Sequence, residues 1–250
     1  RGRPLDGIRR ASRQIARIHA ENAAVPVNAG AAAHAYGETM HIAEGVLSPA
    51  VLGTGAVLAV AGMALGLRRL AYDRLIEAGI LSAAFFVGSL VHIPIGLTSA
   101  HLVLNGLVGV LLGWAAFPSI FVALLLQALL FQFGGITVLG VNTFTMGFAS
   151  VLSWYAYRGV KRLFPGAAGL RAAAFCGGLL GVALSAILTA LALAFTDEGF
   201  QTAAKLLLAA HAPIMLLEGL ITMLTVSFIA RVRPEMLRMP LEEETRSHNA

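Results

Sequence analysis

Seven apolar runs, each near the length that crosses a lipid bilayer, alternate in this chain with short clusters of arginine. A helix of about 20 apolar residues spans the hydrocarbon core. Backbone N–H and C=O groups find no water there, so each spanning segment must satisfy its own hydrogen bonds, which a helix does. The runs cover residues 50–67, 79–93, 102–117, 119–133, 144–157, 172–195 and 206–230. Charged residues make up 12% of the chain and mean hydropathy is +0.79, against about 25% charged residues in a soluble domain. The pattern predicts an all-α polytopic membrane protein with about seven transmembrane helices. Pro118 predicts that residues 102–133 form two helices with a tight turn rather than one tilted span. Gly134, Gly135 and Gly140 predict irregular backbone ahead of residue 144, tolerated at membrane depth only where protein buries it or it lines a cavity.

Arginine orients the bundle. Arg68, Arg69 and Arg74 follow the first run; Arg158, Lys161, Arg162 and Arg171 follow the fifth; Arg231, Arg233, Arg238 and Arg246 follow the last. Seven crossings place all of these on one side, which the positive-inside rule makes the cytoplasm. Lys205 is the exception. Met40, residues 92–101, residues 134–142 and Thr196-Asp197-Glu198 then face outward, and the C-terminus is cytoplasmic. The net charge of +5 does not indicate nucleic acid, because a binder needs a clustered basic face. Six arginines instead lie in residues 1–39, which would be outside. That segment is rich in arginine and alanine, carries no signal-peptide apolar core, and precedes the first methionine, Met40. The expected organisation is an extension over 1–39 absent from the mature chain or disordered, a transmembrane domain over 40–236, and a cytoplasmic tail over 237–250. Cys176 is expected to be a packing residue, since one cysteine gives neither an internal disulfide nor a zinc spacing. Small residues repeat at Gly55, Ala59, Gly62 and Gly66, and again at Gly177, Gly181, Ser185 and Thr189. Such faces let helices approach closely in lipid, within the fold or against a second membrane protein.

Three outward features carry chemistry. In Met40-His41, a free α-amine with an ordinary pKa of about 8 yields its proton readily to a divalent metal. The His41 amide nitrogen closes a five-membered ring with that amine, and the His41 imidazole Nδ1 closes a six-membered ring with the same amide. Three nitrogens lie in one plane, and a fourth completes the tetragonal geometry that suits Ni(II) or Cu(II); low-spin Co(II) is also compatible. In His92-Ile-Pro-Ile-Gly-Leu-Thr-Ser-Ala-His101, Pro94 and Gly96 break the helix, and His101 is the candidate fourth donor. The third feature is Gly134-Gly135-Ile-Thr-Val-Leu-Gly140-Val-Asn142-Thr143. Metal-bound histidines hand their other nitrogen to an acceptor, and Asn142, Ser99 and Glu44 are the candidates. Glu218, inside the last run, is an intramembrane acid with a functional reading by default, and its expected partner is His211.

These blocks together resemble a known family. Met40-His41-Ile-Ala-Glu44-Gly45 is similar to the start of the CbiM/NikM cobalt/nickel substrate-binding components of energy-coupling-factor transporters, and Thr98-Ser99-Ala100-His101 resembles that family's Thr-Ser-x-His block. Gln127-Ala128-Leu129, Gly134-Gly135-Ile136-Thr137 with Gly140-Val141-Asn142, and His211-Ala212-Pro213 with Glu218-Gly219 look like its later blocks. The resemblance runs from Met40 to about Glu235. It implies metal ligation by the Met40 amine, the His41 amide and imidazole, and His101. It gives His92 no ligand role, so His92 reads as a loop residue. It also implies a bacterial or archaeal inner-membrane location, Co(II) or Ni(II) as the transported substrate without a choice between them, and a link to cobalamin biosynthesis. The implied partners are a transmembrane coupling protein, a pair of cytoplasmic ATPases and, often, a small accessory membrane protein. The 39 preceding residues depart from the family, because an uncleaved extension would tie the Met40 amine into a peptide bond. No Gly-x4-Gly-Lys-Ser/Thr loop occurs, so ATP hydrolysis is expected to belong to the partners. A self-sufficient divalent-metal secondary transporter is the alternative, though such proteins usually carry several ionisable groups at mid-membrane. An intramembrane metalloprotease would need His-Glu-x-x-His or its equivalent, which is absent.

Overall fold

The computed structural model describes Ile42, residues 44–95 and residues 98–237; the side chains of residues 92–95, 98–101 and 198 lie outside that description. Met40, His41, the arm before them and the tail after Leu237 also fall outside it. Helix α1 (Pro49–Arg68) begins at Ser48, whose Oγ accepts from Val51 N at 3.4 Å with Pro at the first helical position, a start signal that needs no tertiary help. A 3-10 turn (Tyr72–Arg74) leads to α2 (Leu75–Gly88). Strands β1 (His92–Ile95) and β2 (Thr98–His101) pair antiparallel, the one departure from helix among the described elements. Then follow α3 (Asn105–Leu112), a 3-10 turn (Gly113–Ala115), α4 (Ala116–Phe131), α5 (Leu139–Leu163), α6 (Ala167–Ala194) and α7 (Gln201–Val232).

Among the described residues, four stretches are long and apolar enough to cross a membrane: Pro49–Arg68, Asn105–Phe131, Ala167–Ala194 and Gln201–Val232. Their outward faces carry large bare apolar side chains, such as Val57, Leu129, Leu191 and Phe228, as lipid contact requires. The chain is therefore a helical membrane protein.

The second stretch is not one helix. Helix α2 serves as a ruler: Gly88 packs on the Leu104 side chain and Arg74 bonds Leu111 O at 2.8 Å, so α3 runs against it. Ser82 Oγ bonds Ser119 O at 2.8 Å and Gln127 bonds Ser89 Oγ at 2.8 Å, so α4 runs with it. The chain reverses between α3 and α4, as Pro118 suggested, but the turn lies five residues earlier. Gly113 has φ +58 and starts the turn, whereas Pro118 is the third residue of α4, in the first turn where no N–H donor is needed. The expected run 79–93 likewise ends sooner, at Gly88, because residues 92–95 are strand. The run 144–157 is the middle of a longer α5.

The small-residue faces pack within the fold. Gly55 meets Val141, Gly62 meets the Phe117 ring, and Gly66 meets Pro118 and Trp114 O. Gly106 of α3 lies on Gly177 and Gly178 of α6, and Gly109 on the backbone of Ser150 in α5. Helix α3 is consequently buried at every residue. At the arginine end, Arg69 stacks over Trp114 and Arg158 over Trp154, at 5.5 and 4.6 Å from the ring centres. Amphipathic cation–aromatic pairs of this kind suit a membrane–water boundary.

Candidate metal-capture site

The chain leaving His41 is fastened at its first described residue. Ile42 N donates to Asn142 Oδ1 at 3.3 Å, and Asn142 Nδ2 donates to Ile42 O at 3.4 Å. A carboxamide offers one acceptor and donors side by side, so Asn142 reads the Ile42 backbone as a neighbouring strand would. The Ile42 side chain is buried among Leu47, Val138, Val141 and Leu193. Two residues on, Glu44 Oε1 accepts from Thr137 N at 3.0 Å, and Ser48 N donates to Thr196 Oγ1 at 3.3 Å. The segment after Met40-His41 is thus tied to α5, to the turn before it and to the end of α6.

The glycine turn is where Glu44 fits. Gly134 and Gly135 have φ +75 and +112, the irregular backbone expected there, while Gly140 is helical and packs on the Ala56 backbone. A Cβ on Gly135 would run into the Glu44 side chain. Gly135→Ala is expected to cost about 1–3 kcal/mol from backbone strain alone, and to break the Glu44–Thr137 bond. Thermal unfolding in detergent against the parent protein measures it.

The hairpin pairs His92 with His101 in register, Ile93 with Ala100, Pro94 with Ser99 and Ile95 with Thr98. Leu102 N then bonds Val91 O at 3.3 Å, closing its base. Beyond it the chain enters the bundle without helix, and the amides of Val103 and Leu104 both donate to Glu218 of α7: Val103 N to Oε1 at 2.5 Å, Leu104 N to Oε1 and Oε2 at 2.9 and 3.0 Å. Leu104 takes φ +56 at this entry. The expected His211–Glu218 pair does not form. His211 Nδ1 lies 2.6 Å from Leu207 O, one helical turn back, and the Glu218 carboxylate is committed to backbone donors.

Of the expected ligands, Met40 and His41 lie outside the described residues, and His101 is placed by its strand alone. Ser99 is placed by register. Asn142 and Glu44 are placed fully, each holding backbone near the start of the chain. Among the described residues no three His, Cys, Asp or Glu side chains cluster as a metal site. The sequence did not reveal the tie from Glu218 to residues 103 and 104, although a buried acid with no basic neighbour signals a backbone partner. Nor did it reveal Arg74, which pairs with Glu77 at 3.0 Å while bonding Leu111 O.

Residues 41–236 match a family described as the cobalt uptake substrate-specific transmembrane region, CbiM. A protein of Haemophilus influenzae named as a candidate metal transport protein is 41% identical over 202 residues, which are 79% of this chain and 97% of that one. A protein of Archaeoglobus fulgidus named as a candidate fused nickel transport protein, NikMN, is 35% identical over 205 residues, 79% of this chain and 68% of that one. The crystal structure of a transition metal transporter superposes with a TM-score of 0.65 at 27% identity, over 77% of this chain and 93% of that one.

Proposed function

This chain belongs to the CbiM family of cobalt-uptake transmembrane proteins, and from that premise we propose that it captures Co(II) or Ni(II) at the outer face of a bacterial or archaeal inner membrane for an ATP-driven importer. The metal is substrate rather than resident cofactor. In this reading the Met40 amine, the His41 amide and imidazole, and His101 hold it in a planar set of four nitrogens. The domain spans residues 40–236 with its N-terminus outside and a cytoplasmic tail over 237–250, and residues 1–39 are absent from the mature protein, freeing the amine. The matched region beginning at residue 41 supports that boundary. A transmembrane coupling protein and two cytoplasmic ATPases would drive release inward, with a small accessory membrane protein in some assemblies. The antiparallel run of α3 against α2 and α4, with the non-helical residues 102–104 that lead into α3 completing its short passage, supports seven passes in all.

The observation that carries the reading is the Asn142 clamp on Ile42. A two-residue chelate at a chain end is mobile unless the next residue is fixed, and Ile42 is held by two hydrogen bonds and an apolar seat. Asn142→Ala is expected to weaken Ni(II) binding 10- to 100-fold, the usual effect of removing a group that orients metal ligands. Glu44 and Ser99 are proposed to support the site, Glu44 by holding the Thr137 turn. Capture for a partner is preferred to self-sufficient secondary transport because the mid-membrane acid, Glu218, is engaged by backbone amides. The deciding experiment is the intact mass of protein from its native membrane, followed by Ni(II) and Co(II) titration of that species. A chain starting at Met40 that binds one ion with a planar low-spin spectrum supports the site. A chain retaining residues 1–39 with the same spectrum and affinity removes the amine from the ligand set.

A further inference from the structure

Helix α3 is a half-helix of eight residues, entirely buried, and three residues separate its first residue, Asn105, from the strand that ends at His101. No side chain of its own caps that end. The orphan amides ahead of it, on Val103 and Leu104, are answered from another helix, by the Glu218 carboxylate on α7. Glu218 and Val103 are buried at 0% and 1% exposure, where an unanswered amide would cost the full desolvation of the group. A carboxylate is acceptor-only and can take both amides at once. It also lies at the positive end of the helix dipole.

We propose that Glu218 is a positioning residue for metal capture: by holding the Val103 and Leu104 amides it fixes where the His101 strand leaves the bundle, and so fixes His101 relative to the N-terminal chelate. The proposal rests on the reading that His101 is a ligand. Leu104 leaves little freedom, since its left-handed backbone and its contact with Gly88 fit one path from strand to helix. The residue between His101 and Val103 is tied back to Val91. Strand position therefore follows the carboxylate.

Glu218→Gln tests this with little change in volume. A carboxamide removes the charge and, with its oxygen at the Oε1 position that both amides reach, sets an N–H2 donor against Leu104 N where Oε2 accepted, so the grip on Leu104 is weakened. Glu218→Asp keeps the charge and draws it back by one methylene, a milder change that serves if the Gln variant does not fold. Ni(II) affinity and the planar absorption band are measured for both variants, together with apo-protein melting, and His101→Ala is titrated alongside. The expected result is a 10- to 100-fold loss of affinity in Glu218→Gln with a shifted band, and a smaller loss in Glu218→Asp. Unchanged affinity and band in both Glu218 variants overturn the proposal. A loss of affinity that leaves the parent's band unshifted and follows a fall in apo-protein melting also overturns it, since Glu218 would then act on the folded fraction rather than through His101. If His101→Ala alone leaves binding intact, the ligand reading itself fails, and that result is separate from any effect of Glu218.

Discussion

His101→Ala is expected to abolish retention of Ni(II) and Co(II) while leaving the helical bundle intact. In the proposed site, three nitrogens from Met40 and His41 alone would hold a divalent ion only as an incomplete plane, with water in the fourth position. Removing the fourth nitrogen therefore removes both the affinity and the low-spin planar spectrum that tetragonal nitrogen donors produce. The fold should not notice. The described ties of the His101 strand are backbone bonds, to its paired strand and from Leu102 to Val91, and these do not depend on the side chain that the substitution removes. Metal carried through gel filtration, measured with melting of the metal-free protein, separates the two quantities. Full metal retention by the variant would remove His101 from the site.

The second large effect is expected at Gly106. A Cβ there would press into the backbone of Gly178 and lie 2.6 Å from Gly177 O, while a Cβ on Gly181 would meet Gly106 itself. Helices α3 and α6 thus cross with their backbones in contact, and neither has a flexible side chain at the crossing that could yield. Ordinary overpacking costs about 1–3 kcal/mol. Gly106→Val must move a fully buried helix, so it is expected to exceed that range and to prevent accumulation of folded protein. Gly79→Val, on an exposed face with nothing nearby, is the matched control. Parent-like yield and melting of the Gly106 variant would mean that α3 can shift, which would also weaken the case for a rigid platform beneath the hairpin.

What could be read from sequence was set by periodicity and charge. Runs of apolar residues announce helices in lipid, and arginine announces the side, so the order of elements was legible. Turns were legible in kind rather than place: Pro118 drew attention, but a proline is harmless in a first helical turn, and Gly113 carried the reversal. The strands were hidden because eight residues in a loop have too little pattern to distinguish strand from coil. At the site, the candidate ligands Met40, His41 and His101 and the candidate supports Asn142, Ser99 and Glu44 could be named from sequence, but the bonds that Asn142 and Glu44 make could not. Asn142, one of three candidate acceptors for a metal-bound imidazole, holds the backbone of Ile42, a role no spacing encodes because the partners lie 100 residues apart. Glu218 was expected to meet His211, since both are ionisable and near in sequence. Two turned-in amides 115 and 114 residues away satisfy it instead, and backbone donors leave no trace in side-chain chemistry.

The burial of α3 along its whole length has a consequence for how the membrane acts on this protein. At 1.5 Å per residue α3 is about 12 Å long, whereas α6 and α7, with 28 and 32 residues, exceed a hydrocarbon core of about 30 Å. Long helices meet a thicker or thinner bilayer by changing tilt. Helix α3 touches no lipid, so bilayer thickness loads it only through its neighbours. Where the chain passes from the hairpin into α3 it is held by an element that lipid does not touch, while the other strand follows from α2, whose Ile76, Ile80 and Val87 are bare.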